Sequence, residues 1–128
     1  MRTLFVALAF IVGLRSVQAQ ENVWNEINQR IVDLYSAGNY EDAIYIARQN
    51  RRLMDQAPTP IKIVFYNNLA GSFLEADLVD SAIFYYSKAV ELAQKDTAKL
   101  ITSLINLREA YATVPNFHKA LEINSEAL

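Results

Sequence analysis

The clearest pattern of apolar and polar positions lies between Tyr66 and Ala93. Tyr66, Leu69, Ala70, Phe73 and Leu74 fall at i, i+3, i+4, i+7 and i+8, which gathers them on one face of an α-helix. Ala82, Tyr85, Tyr86, Ala89, Val90 and Ala93 repeat that spacing, so the tyrosines among them read as core. Between the two stripes runs a mostly polar stretch, Glu75 to Ser81, in which Asp80 or Ser81 is placed to cap the second helix. The spacing predicts a helical hairpin.

Two antiparallel helices with one apolar stripe each cannot bury both faces between themselves, so the unit needs stacked neighbours. The chain supplies them. Ala43, Ala82 and Ala120 recur at intervals of 39 and 38 residues, and GNYEDAIYIARQN, DLVDSAIFYYSKA and PNFHKALEINSEA superimpose around them without gaps. Upstream, Ile27, Ile31 and Leu34 align with Tyr66, Ala70 and Phe73 and with Leu104, Arg108 and Tyr111. Trp24 and Tyr35 complete the first stripe, and Gly38 is expected to end its helix in the left-handed conformation. Asn39, with Asp42 three residues on, is then placed to cap a helix running to about Asp55. Ala57-Pro58-Thr59-Pro60 is the clearest break; Thr59 suits a cap and Pro60 the first helical position. Lys95-Asp96-Thr97 punctuates again, a further helix runs from Ala98 to about Thr113, and a last one restarts at Asn116 after Pro115. Arg48, Arg51 and Arg52 read as a solvated outer face near a helix C-terminus.

With Tyr66, Leu69, Ala70, Phe73, Ala82, Tyr86 and Ala89 in place, the middle unit resembles the tetratricopeptide repeat (TPR) family. The resemblance implies an all-α fold of tandem antiparallel hairpins stacked as a TPR-like α-solenoid, with about three repeats. The units are residues 20–57, 58–96 and 97–128, the last incomplete. Departures are specific. The interval exceeds the usual repeat of about 34 residues, as in the longer repeats of kinesin light chains and of some bacterial arrays. Arg30 stands where Leu69 stands in the middle unit, Asn50 where Ala89 does, and Arg108 where Ala70 does.

In TPR proteins the first helices of successive units line a concave groove for a peptide or a partner's helix. Counted back from each anchor alanine, Asn28, Asn67 and Ile105 share one register, and Gln29, Asn68 and Asn106 the next. Val32, Gly71 and Glu109 share a third, and Tyr35, Leu74 and Ala112 a fourth. The candidate groove is therefore Asn28, Tyr35, Asn67, Asn68, Gly71, Leu74, Asn106 and Glu109. Its amides suit a peptide backbone, which they can bond without reading side chains, and Gly71 would admit a ligand closely. The Lys and Arg with which co-chaperone TPRs grip a C-terminal carboxylate are missing from these positions, so that activity is not implied.

The start of the chain has a different character. Arg2, the apolar run Leu4 to Leu14, and Val17 and Ala19 have the three parts of a secretory signal peptide, with cleavage expected after Ala19. The run is 11 residues, short of the roughly 20 that a spanning helix needs. Without residues 1–19, 109 residues remain and the net charge moves from −2 to −4, which offers no basic stripe for nucleic acid. An exported chain with no cysteine points to a bacterial periplasm or the extracellular space rather than to a disulfide-built domain.

Candidate chemistry is sparse. His118 is the sole histidine, beside Lys119 at a helix start, and no cysteine serves it as a nucleophile. No His-Glu-x-x-His, glycine-rich phosphate loop or paired-cysteine spacing occurs. Asp77 and Asp80 read as turn and cap residues, because a calcium loop needs several more oxygens. The expectation is a non-enzymatic module without cofactor or metal that binds a protein or peptide. Repeat arrays end on a polar capping helix, and Leu128 stops short of one. That ending leaves two readings open, the N-terminal part of a longer array or self-association through the uncapped end. Other readings also stand: a periplasmic sensor segment of a signalling protein, an enzyme whose catalytic part lies past residue 128, and a bundle enclosing a small ligand.

Overall fold

The computed structural model describes residues 2–115, with side chains from residue 16 onward. Among them are six helices and no strand: α1 (Arg2–Ser36), α2 (Tyr40–Gln49), α3 (Arg51–Met54), α4 (Thr59–Glu75), α5 (Val79–Leu92) and α6 (Thr97–Ala112). The expected all-α class is what is found. His118, the anchor Ala120 and the last expected helix lie outside the described residues.

Helices α1, α4 and α6 form one row, with α2 seated between α1 and α4 and α5 between α4 and α6. Asn28 bonds to Ile61 while Tyr35 lies against Gly71, so residue numbers rise together on α1 and α4 and the two run parallel. The central helix, α4, packs on four neighbours, and its Ile63, Phe65, Tyr66, Leu69, Ala70 and Phe73 are buried on more than one face. At the row's start, α1 packs mainly on α2 and α4. Arg30 is therefore exposed at the register where Leu69 is buried.

The anchor alanines Ala43 and Ala82, like Ala47, Ala89 and Ala93, have no exposed surface. Without side chains beyond Cβ, they let α2 and α5 approach the first helices closely. At the other edge, Leu104 of α6 stands where Tyr66 stands in α4, yet is 46% exposed against 5%. The segment that register would set against Leu104 begins at Asn116, outside the described residues.

The two hairpin turns share one hydrogen-bond pattern. The amide of Asn39 donates to the Leu34 carbonyl at 2.9 Å and that of Gly38 to Tyr35 at 3.0 Å, which is a Schellman closure. Thirty-nine residues on, Leu78 donates to Phe73 at 2.9 Å and Asp77 to Leu74 at 3.1 Å. Gly38 has φ 78° and Asp77 φ 60°, so both turns need the left-handed region. Only the first has the residue that enters it freely.

Several local expectations are corrected. Asn39 occupies its cap position without a side-chain bond, and the α5 cap is Leu78 rather than Asp80 or Ser81. Asp80 instead sits in the first turn of α5, where the helix dipole favours an anion. At α4 the cap is Pro58, which makes Thr59 and Pro60 the first helical residues. Asp96 alone of these caps by side chain, accepting from the Lys99 amide at 3.1 Å. That bond and the Lys99 ammonium hold the Asp96 carboxyl below its ordinary pKa.

The helix expected to reach Asp55 breaks at Asn50, whose side-chain amide donates to the Ile46 carbonyl at 2.8 Å. Asparagine competes for the helix's own acceptors in this way; alanine, at the same register in α5, does not. Beyond the break, the indole of Trp24 donates to the Leu53 carbonyl at 3.1 Å and ties α3 to α1. Arg48 and Arg51 are exposed as expected, but their guanidinium carbons also lie 5.3 and 6.0 Å from the Phe73 and Tyr85 rings.

Through Ala19 the helix α1 runs unbroken. Residues 16–23 are exposed, and Trp24 is the first buried side chain described. Among the described residues no helix is long and apolar enough to cross a membrane.

Because Asp77 holds a left-handed conformation that glycine adopts without Cβ strain, Asp77→Gly should raise stability by about 0.5–1 kcal/mol. Gly38→Ala, in the matching turn, should lower it by about 1 kcal/mol. Thermal or urea melts of the two variants check the pair; equal and unchanged midpoints would contradict the shared turn geometry.

Candidate functional site

Polar residues on the row α1–α4–α6 are brought together by register. Asn67 of α4 donates to the Ser103 hydroxyl of α6 at 2.9 Å, and Asn106 donates to Asn67 Oδ1 at 3.4 Å. This bridge sets the spacing of α4 and α6. On the other side, Asn28 of α1 donates to the Ile61 carbonyl of α4 at 3.3 Å. Amides expected to face a ligand thus also hold the row together.

Between these ties opens a cleft of about 370 Å³, lined by Val32, Tyr35 and Ser36 of α1, Asn67, Asn68 and Gly71 of α4, Tyr86 of α5 and Asn106 of α6. Five of the expected groove residues meet here: Tyr35, Asn67, Asn68, Gly71 and Asn106. Asn28 falls in a second recess of about 510 Å³, with Gln29, Ile61, Val64 and Lys99. Val32 lines both, so the two recesses are neighbours along the row. Leu74 lines neither; it packs half-buried against the core, and its carbonyl closes the α4–α5 turn. Glu109 is exposed, one turn past Asn106.

The space beside Gly71 is used by the protein itself. A Cβ there would come within 3.3 Å of the Tyr86 hydroxyl and 3.5 Å of the Tyr35 ring. The absent side chain therefore lets Tyr86 reach from the second layer to the cleft. Its stripe position marks it as core, and at 6% exposure it is core, but its tip is also cleft wall. Helical periodicity reports the face a residue occupies, not how far a long side chain reaches. Ser103 was likewise missed, since it stands at the register of the buried Phe65 and carries no pattern of its own.

Two polar atoms along the row are buried without a partner among the described residues: Nδ2 of Asn68, a residue of the first cleft, and Oδ1 of Asn28, a residue of the second recess. Buried polar groups are nearly always paired, so each such orphan calls for a physical account. A third depression, of about 360 Å³ over the α1–α2 turn, holds neither.

No charged residue lines the first cleft. Lys99, the one cation of the second, is held by Asp96 at 3.2 Å. Burial pushes the Tyr86 hydroxyl up to about 12, helped by Tyr35, Glu109 and Glu75. Burial raises Tyr35 too, and the nearby Glu75 charge adds to it. Tyr66, on the opposite face of α4, reaches about 12 through burial and its 2.8 Å bond to Asp55. Among the described residues, no group of three or more His, Cys, Asp or Glu is placed to hold a metal ion. Comparison with protein-family models, with curated proteins and with solved structures finds no match.

The Asn67 amide is bonded and the Tyr86 hydroxyl has no hydrogen bond among the described residues, so their removal should differ. Asn67→Ala leaves the buried Ser103 hydroxyl without its partner and should cost about 1–2 kcal/mol. Tyr86→Phe should change stability by less than about 0.5 kcal/mol at neutral pH. Tyr66 and Tyr86 keep their protons above the ordinary value of 10.0 and titrate near 12 when folded. Their contribution is therefore full below pH 10 and lost as pH rises through 12. Ultraviolet phenolate titration should lose one late-titrating group in Tyr86→Phe, and melts between pH 10 and 12 should fall less steeply.

Proposed function

We propose that the chain is an exported TPR-like interaction module that binds an extended peptide along the row α1–α4–α6. The observation that carries the reading is the pair of orphan atoms. Asn68 Nδ2 needs an acceptor and Asn28 Oδ1 needs a donor, and their residues line two neighbouring recesses that share Val32. An extended backbone offers carbonyls and amides in succession, so one strand of peptide can supply both. The recesses lie open along the row, which suits a strand better than a small molecule enclosed between helices.

The repeat reading is supported by two turns 39 residues apart that share one hydrogen-bond pattern, and by the alternation of first and second helices between the two layers. Export is supported by the leader-like pattern of residues 1–19.

Asn68→Leu tests the reading, because the two effects it produces have opposite sign. Leucine has nearly the shape of asparagine and removes an orphaned buried donor, so the variant should melt at the same temperature or higher. Peptides enriched by panning a random library on the full chain should bind the variant about 5- to 20-fold more weakly. Failure to enrich any peptide, or peptides that bind Asn68→Leu as tightly as the wild type, would overturn the assignment.

A further inference from the structure

The groove is not electrically uniform along its length. Because α1 and α4 run parallel, as do α4 and α6 through their common antiparallel neighbour α5, the C-terminal ends of all three collect at one end of the row. The negative ends of three helix dipoles meet there. Gly71 and Asn106 line the first cleft, so Glu75 and Glu109, four and three residues on, lie one turn beyond them on the same faces. Both glutamates are exposed. After burial, the charges of both glutamates raise Tyr35 and Tyr86.

No cation lines this cleft, and Tyr86, more than nine-tenths buried, turns into it a hydroxyl without a hydrogen bond among the described residues. The end of the cleft is thus an acidic mouth over a neutral, hydrogen-bonding floor. A carboxylate brought to it would meet two like charges and three dipole ends. A cation would meet complementary charge while its aliphatic stem lies along Val32 and the Tyr35 ring.

We infer that the cleft takes a peptide carrying a lysine or arginine, with the cation set between Glu75 and Glu109 and the adjoining backbone on the cleft floor beside Asn68 and the Tyr86 hydroxyl. This rests on the peptide-groove reading and adds to it the charge of the ligand. Two exposed pairs of this kind change affinity by roughly 3- to 30-fold and weaken with salt.

The test uses the full chain and three pools of acetylated nonapeptide amides, with lysine, norleucine or glutamate fixed at the centre and the other positions randomised. Fluorescence polarisation is read at low and at high salt. The lysine pool should bind roughly 3- to 30-fold more tightly than the norleucine pool, the glutamate pool should bind most weakly, and the preference should shrink at high salt. In the double variant Glu75→Gln/Glu109→Gln, the lysine preference should vanish while norleucine peptides keep their affinity. Both substitutions are at exposed positions, so a circular dichroism melt should match the wild type. Equal binding of lysine and norleucine pools, or a preference that survives in the double variant, would overturn the inference and leave the groove reading standing. Binding of no pool, or binding indifferent to Asn68→Leu, would instead overturn the groove reading itself.

Discussion

The fold depends on the close approach that Ala43 and Ala82 permit. Both have no exposed surface, and at each of them a second helix is seated between two first helices. A longer side chain at either place would push the layers apart and open the core around Ile31, Leu69 and Phe73, since packed interiors have little room to absorb added volume. From that contact follow the parallel course of α1, α4 and α6 and the alignment of their polar faces. The cleft is a consequence of how the core is filled on its other side.

The same helices that bury the core also carry the orphan polar atoms, and the two facts are connected. The Asn68 amide of α4, unlike that of Asn50 on the Ile46 carbonyl, has no acceptor among the described residues. Holding Asn68 Nδ2 unpaired has a free-energy cost in the free protein, which a ligand carbonyl would remove. Gly71 extends the arrangement by admitting Tyr86 from the second layer. Four elements then contribute polar tips to one floor, while charge is kept to the rim at Glu75 and Glu109.

Much of this was legible in the residues themselves. The alanine interval and the 3.6-residue stripes located the hairpins, and counting back from the anchors found five of the residues that line the cleft. What stayed hidden was decided by atoms rather than by period. Nothing in the pattern told that Asn50 would bond Ile46 and split its helix, while Ala89 at the same register leaves α5 whole. The caps fell on Leu78 and Pro58 because a backbone-closed turn can start a helix without help from Asp80, Ser81 or Thr59. Ser103 and the tip of Tyr86 were missed because a contact between two helices depends on both faces. Leu74 has a place on both the apolar stripe and the counted-back groove register, and its packing against the core follows the stripe.

The central claim is that ligand meets this protein along α1, α4 and α6 through side-chain amides held without partners. The most direct measurement is a nitrogen–proton correlation spectrum of the full chain, following the side-chain NH2 resonances of its asparagines as an enriched peptide is added. The account predicts that the Asn68 and Asn28 resonances move most and that the outer faces of α2 and α5, around Tyr45 and Phe84, stay in place. Shifts concentrated on those outer faces, with Asn68 unmoved, would contradict it.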